Sequence, residues 1–152
     1  MIARWRWAVV ATAVAGASVI AGCGGGTSSS RPRVPEVVSG SAATWTTITV
    51  TTATASATVP ADARQTLVPL LATRVLNRPA PLTEYGLDRP QAEIEYTGRS
   101  GSAADVVIGQ PNFDRHFVYV QRRGAPAVYL VPADTLRPAL ALVGIEIKPP
   151  AA

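Results

Sequence analysis

The body of this chain reads as an α+β domain: a small antiparallel β-meander with one or two helices packed on one face, preceded by a signal peptide and a disordered linker. Three observations predict it. From residue 91 onward, short β-branched and aromatic runs follow one another with Gly- or Pro-bearing turns between them. Helical spacing of apolar residues flanks that block, at 61–75 and 134–142. The composition changes near Thr44, from Gly, Ser and Pro to β-branched and aromatic residues.

Taken in order, Trp45 to Thr51 is β-branched and aromatic and predicts a strand, with Ile48 and Val50 on one face and Trp45 on the other. Pro60-Ala61-Asp62 starts a helix whose apolar face is Ala63, Leu67, Leu70, Leu71 and Val75. Pro69 conflicts with it, so the helix is expected to kink there or to begin near Thr66. The prolines of Asn77 to Pro81 end it. Gln91 to Thr97 alternates, with Ala92, Ile94 and Tyr96 facing the core and Glu93 and Glu95 facing water. Gly98 to Gly101 is a turn, and Asp105 to Ile108 a buried strand closed by Gly109. Phe117 to Gln121 is the next strand, with Val118 and Val120 opposite Phe117 and Tyr119. Arg122 to Pro126 turns the chain into Val128 to Val131. Short turns between consecutive strands favour an antiparallel meander. Leu136 and Leu140 then mark a second helix over Asp134 to Leu142, with Pro138 inside it.

The leader has the parts of a secretory signal. Arg4 and Arg6 form a positive n-region, Trp7 to Ile20 a 14-residue apolar stretch, and Ala21-Gly22 a small pair. A spanning helix needs about 20 residues, so export is the better reading. Ile20-Ala21-Gly22-Cys23 resembles the lipobox of bacterial lipoproteins. That resemblance implies cleavage between Gly22 and Cys23, a diacylglycerol on the Cys23 sulfur and a lipid anchor on the extracytoplasmic face of the cell membrane. Cys23 is the single cysteine, so an internal disulfide is impossible, and acylation removes an oxidisable thiol. Acyl chains contribute about 0.8 kcal/mol per buried CH₂, and stable retention takes two or more of them.

The expected organisation is therefore signal peptide 1–22, lipidated cysteine and flexible tether 23–43, one domain 44–147 and a tail 148–152. A coil of the tether's length has a root-mean-square span of about 25 Å. Thr27 to Ser30 and Thr44 to Thr54 read as solvated linker and strand positions, with acceptance of O-linked sugars as the alternative. The chain holds 14 Lys+Arg and 10 Asp+Glu, and loss of Arg4 and Arg6 leaves 12 against 10. Such a balance, without clustered cations, argues against nucleic-acid binding.

The constellations that carry chemistry are sparse. His116 is the single histidine and has no nucleophile beside it in sequence. One histidine and one acylated cysteine cannot build a zinc site, and Asp88, Asp105, Asp114 and Asp134 are scattered. No cofactor is expected. Glu93 and Glu95 are the one paired-carboxylate candidate: two apart on a strand, about 7 Å, within the range of glycosidases. Their alternation places them toward water. Arg115, Arg122 and Arg123 lie around one hairpin and form a candidate patch for anionic lipid or an acidic partner.

Tyr85-Gly86-Leu87-Asp88-Arg89-Pro90, then Val106-Val107-Ile108-Gly109, Phe117 to Val120 and Ala127 to Val131 followed by a helix, resemble an uncharacterised bacterial envelope family, the domain of unknown function 4340. The resemblance covers roughly Thr44 to Leu142. It implies an accessory role, since such proteins are often membrane-anchored and associated with ABC-type transport systems. Physically, Gly86 is expected to supply a backbone conformation closed to other residues, Leu87 to plug the core and Pro90 to force an extended start to the strand. The expected function is a non-catalytic binding module for an envelope protein or component. The alternatives are a carrier of an apolar ligand held between helix and sheet, and a carboxylate hydrolase using Glu93 and Glu95.

Overall fold

The computed structural model describes residues 33–148. The lipobox, the leader and the first part of the expected tether lie outside the described residues. Nine strands, two α-helices and one 3₁₀ turn make up the described chain: β1 Glu36–Val38, β2 Trp45–Thr51, β3 Ser56–Thr58, α1 Ala61–Leu67, β4 Leu70–Leu71, β5 Arg74–Leu76, the 3₁₀ turn Leu82–Tyr85, β6 Ala92–Gly98, β7 Ala103–Pro111, β8 Phe117–Arg122, β9 Val128–Pro132 and α2 Ala133–Ala141. Seven strands form one sheet in the order β3-β2-β6-β7-β8-β9-β5, and β1 pairs with β4 in a small separate sheet. Every pairing is antiparallel. The α+β class and the meander β6-β7-β8-β9 follow the sequence reading.

Alternation builds the two faces of the large sheet. Ile48, Val50, Ile94, Tyr96, Val106, Ile108, Val118, Val120 and Val131 are buried on one face. Leu67 of α1 and Leu136, Ala139 and Leu140 of α2 pack into the same core, so both helices cover that face. Each fully buried aliphatic side chain of this kind contributes about 1.5–3 kcal/mol relative to exposure. The opposite face carries a smaller cluster, Leu87, Val107 and Val128, with Leu76, Tyr85 and Tyr119 against it.

Four expectations are corrected. Trp45 does not face away from Ile48. The register shifts between Trp45 and Thr47, so one extra residue returns the indole to the core, where it meets Tyr96 edge-on with centroids 5.7 Å apart. The first helix neither kinks nor begins at Thr66, but ends at Leu67. Val68, preceding Pro69, is extended (φ −140, ψ 116), as steric clash with the proline ring demands, and the residues after it form β4 and β5 instead of a second helical turn. Leu87 is buried, but in the cluster on the outer face and not in the main core.

The fourth correction concerns the tether. Residues 36–38 are a strand, and Val37 and Val38 are buried in the main core. The Ala72 N–H donates to the Pro35 carbonyl (2.8 Å), and the Trp45 indole N–H to the Ser39 carbonyl (2.9 Å). Gly, Ser and Pro dominate this stretch, yet two adjacent valines suffice to bury it. The folded unit therefore reaches back at least to Pro35, nine residues before the expected boundary at Thr44.

Pro138 sits inside α2 on its exposed side, while Leu136 and Leu140 are buried. Burial of that apolar edge outweighs the missing backbone hydrogen bond.

Candidate functional site

The Tyr-Gly-Leu element is a single contact with the Ile-Gly that ends the buried run of β7. Gly86 closes the 3₁₀ turn in the left-handed conformation (φ +66), and its N–H donates to the Thr83 carbonyl (3.3 Å). The chain then lies so close to β7 that a Cβ on Gly109 would collide with the Tyr85 carbonyl oxygen and stand 3.1 Å from the Leu87 side chain. Gln110 locks the approach: its Nε2 donates to the Glu84 carbonyl (2.7 Å). The Tyr85 ring packs against Tyr119 at a tilt of 54° with centroids 4.8 Å apart, and its hydroxyl accepts from the Ala80 N–H (3.0 Å). This constellation is structural.

The outer face is open beside that element. There Arg123 of the β8–β9 turn donates to the Glu93 carboxylate and lies 3.7 Å from Asp105 Oδ2. Glu95 is exposed on the same face. All three ion-paired side chains are about half exposed. A carboxyl group serving as a general acid is held in an apolar enclosure, and Glu93 has none. Chemically the arrangement is a surface ion-pair cluster.

The three arginines of the candidate patch are not brought together. Arg122 and Arg123 stand at the β8–β9 turn, whereas Arg115 precedes β8 at its other end. The six residues of β8 separate the two ends by about 20 Å. Arg123 is moreover committed to Glu93 and Asp105.

Arg115 belongs to a different cluster that sequence reasoning did not assemble. The β7–β8 loop is held by its own bonds: the Asn112 N–H donates to the Phe117 carbonyl (2.8 Å), the Phe117 N–H to Asn112 Oδ1 (3.1 Å), and the His116 N–H to Asp114 Oδ1 (2.9 Å). Arg115 takes φ +61 within it. His116 is exposed, as a loop residue. At the tip Phe113 is 97% exposed, a large aromatic with no covering partner among the described residues. A cleft beside it is lined by Gln91, Gln110, Arg115, Glu146 and Lys148. Pro132 pairs with Phe117 and the Ala133 N–H donates to the His116 carbonyl (2.8 Å), so the loop adjoins the end of β9. Pro132 in turn lines an apolar groove with Arg33, Val34, Leu71 and Thr73. Val34 is 53% and Leu71 39% exposed. One end of the sheet thus gathers exposed apolar side chains, cations and the point where the N-terminal chain joins the domain. The signal that was available in sequence was Phe113, an aromatic among turn residues between two strands.

Among the described residues, one buried polar side-chain atom, Arg137 Nε, has no hydrogen-bond partner, while one buried hydroxyl has found one. Tyr96 Oη donates to the Leu67 carbonyl (3.4 Å), and burial pushes its pKa upward. Among the described residues no three His, Cys, Asp or Glu side chains gather as metal ligands, and no helix is long and apolar enough to cross a membrane.

Fold and surface together define an antiparallel α+β module with a two-helix face, a filled core and one end that exposes Phe113. A family model, the domain of unknown function DUF4340, matches residues 50–141, and the chain belongs to that family. No curated protein and no solved structure matches the chain.

Proposed function

We propose that this protein is an exported, lipid-anchored module on the extracytoplasmic face of the cell membrane, which binds another envelope component and has no catalysis of its own. The observation that carries the reading is Ile20-Ala21-Gly22-Cys23 at the end of a 14-residue apolar stretch behind Arg4 and Arg6. Two structural facts support the non-catalytic part. Glu93 is tied into an ion-pair cluster on an open face, and the space between helices and sheet is filled by Tyr96, Leu67, Leu136, Leu140 and Ile108. That packing also weighs against an apolar-ligand carrier, which needs a cavity where these side chains stand. The partner we favour is an envelope protein, with an ABC-type transport component as the expectation that follows from the family resemblance.

Mass spectrometry of the protein isolated from membranes tests the anchor: a chain beginning at an acylated Cys23 is expected, and an intact, unmodified leader overturns it. Cross-linking in intact cells, compared between wild type and Cys23→Ala, tests the partner. Cross-links to one envelope protein that vanish with the anchor support the reading. Turnover of a glycoside by the purified protein, abolished by Glu93→Gln, sinks it.

A further inference from the structure

We propose that the end of the domain carrying Phe113, Val34, Leu71, Arg33, Arg115 and Lys148 lies on an anionic lipid surface, with the Phe113 ring inserted among the headgroups. The inference rests on the lipid-anchor reading and adds the orientation of the domain on the bilayer.

The place where the chain joins the folded unit points to this occupant. Among the described residues Pro35 is the first fixed by a backbone hydrogen bond to the core, and residues 24–34, eleven in all, separate it from Cys23. Covalent geometry limits the Cys23-to-Pro35 distance to about 40 Å, against about 70 Å had the domain begun at Thr44. A domain of this size is itself about 30–35 Å across. The attachment end is therefore held within about 40 Å of the lipid, little more than one domain diameter, whatever path those residues take. That same end presents Phe113 and, around the junction itself, Val34 and Leu71.

The chemistry of the end matches an interfacial contact. An exposed aromatic with flanking cations is the combination that partitions to the boundary between headgroups and acyl chains and is held there by anionic lipid. Arg33, Arg115 and Lys148 supply the cations, and all three are exposed. Acidic groups share the surface too: Asp114, Glu146 and Glu36, which stands opposite Leu71 in the β1–β4 pair; the Asp114 carboxylate accepts from the His116 N–H. The loop bonds from Asn112 and Asp114 fix Phe113 at the tip, so insertion orders no new backbone. At the opposite end of the sheet, the Gly98–Ser102 turn presents Arg99 and Ser100 and no large apolar side chain.

The test uses tryptophan as a depth probe in the full protein as isolated from membranes. Phe113→Trp is compared with Ser100→Trp at the far turn, each reconstituted into phosphatidylglycerol–phosphatidylcholine vesicles with brominated acyl chains. Trp45 is buried and gives a common background. Loss of emission at position 113 with none at position 100 is expected. That loss should be weaker in phosphatidylcholine alone, at high salt, and in the Arg115→Glu, Lys148→Glu variant. Equal emission at 113 and 100 overturns the proposal. Equal quenching in neutral and anionic vesicles overturns its electrostatic half. An indole at position 113 that is already shielded without vesicles overturns it in favour of a protein partner or a second copy. Should the isolated protein carry no lipid on Cys23, the anchor reading falls, and the same comparison with added vesicles still decides the surface.

Discussion

Gly109 is without a side chain because the Tyr85 carbonyl occupies the place a Cβ would take. Tyr85-Gly86-Leu87 and Ile108-Gly109, two of the stretches on which the family resemblance was read, are thus the two halves of one contact, separated by more than twenty positions in sequence. Gly109→Ala is expected to lower stability by ~1–3 kcal/mol, read as a fall in the urea midpoint with an unchanged slope, because backbone and Leu87 must both shift. Nothing in the sequence around Gly109 announced this; the residue read as the end of a buried run. Tyr96 carries a second expectation. Its hydroxyl titrates near 10.0 when unfolded and higher when folded. Below about pH 10 both states are protonated and stability is flat. Above it the unfolded chain loses a proton that the folded chain keeps, so stability falls by about 1.4 kcal/mol per pH unit until the folded hydroxyl also ionises. Urea unfolding at about pH 9 and pH 11 should show that loss in wild type and a smaller one in Tyr96→Phe.

Among the elements, those with clean alternation were legible. The strands at 45–51, 92–98, 117–122 and 128–132 and the helix at 133–141 all lie within a residue or two of the sequence reading. The exceptions have local causes. Leu67, Leu70, Leu71 and Val75 have helical spacing, but Pro69 forces Val68 extended, so the periodic signal spans a helix and two strands. Val37 and Val38 were too short a run to stand out against Gly, Ser and Pro. Arg64 carried no signal either, although its guanidinium donates to the Thr46 carbonyl (2.6 Å) and its Nε to the Val59 carbonyl (3.3 Å), clamping α1 to β2 and the end of β3. Two substitutions separate these roles. Val38→Ala should cost ~2 kcal/mol, and Leu136→Ala ~2–5 kcal/mol, both read from thermal or urea unfolding. An effect near zero for Val38 would return residues 36–38 to the tether.

At the scale of the molecule, the candidate site was legible only in fragments. Sequence supplied Arg115 but grouped it with Arg122 and Arg123, which stand at the far end of β8. Phe113, Val34 and Leu71 are separated by up to 79 positions, and only the sheet brings their end of the domain together. Surface ion pairs contribute little, so Arg123→Ala should change stability by no more than about 1 kcal/mol. The same measurement checks that Glu93, Asp105 and Arg123 form no buried network. Cys23→Ala is expected to move the protein from the membrane fraction to the soluble one, scored by fractionation and immunodetection.

The pairing of β1 with β4, apart from the seven-stranded sheet, has a mechanical consequence. Tension on the N-terminal chain reaches this two-strand patch before it reaches any strand of the meander. Freeing β1 would lengthen the N-terminal segment by the residues released and expose Val37 and Val38, while none of the seven strands of the large sheet would lose a pairing.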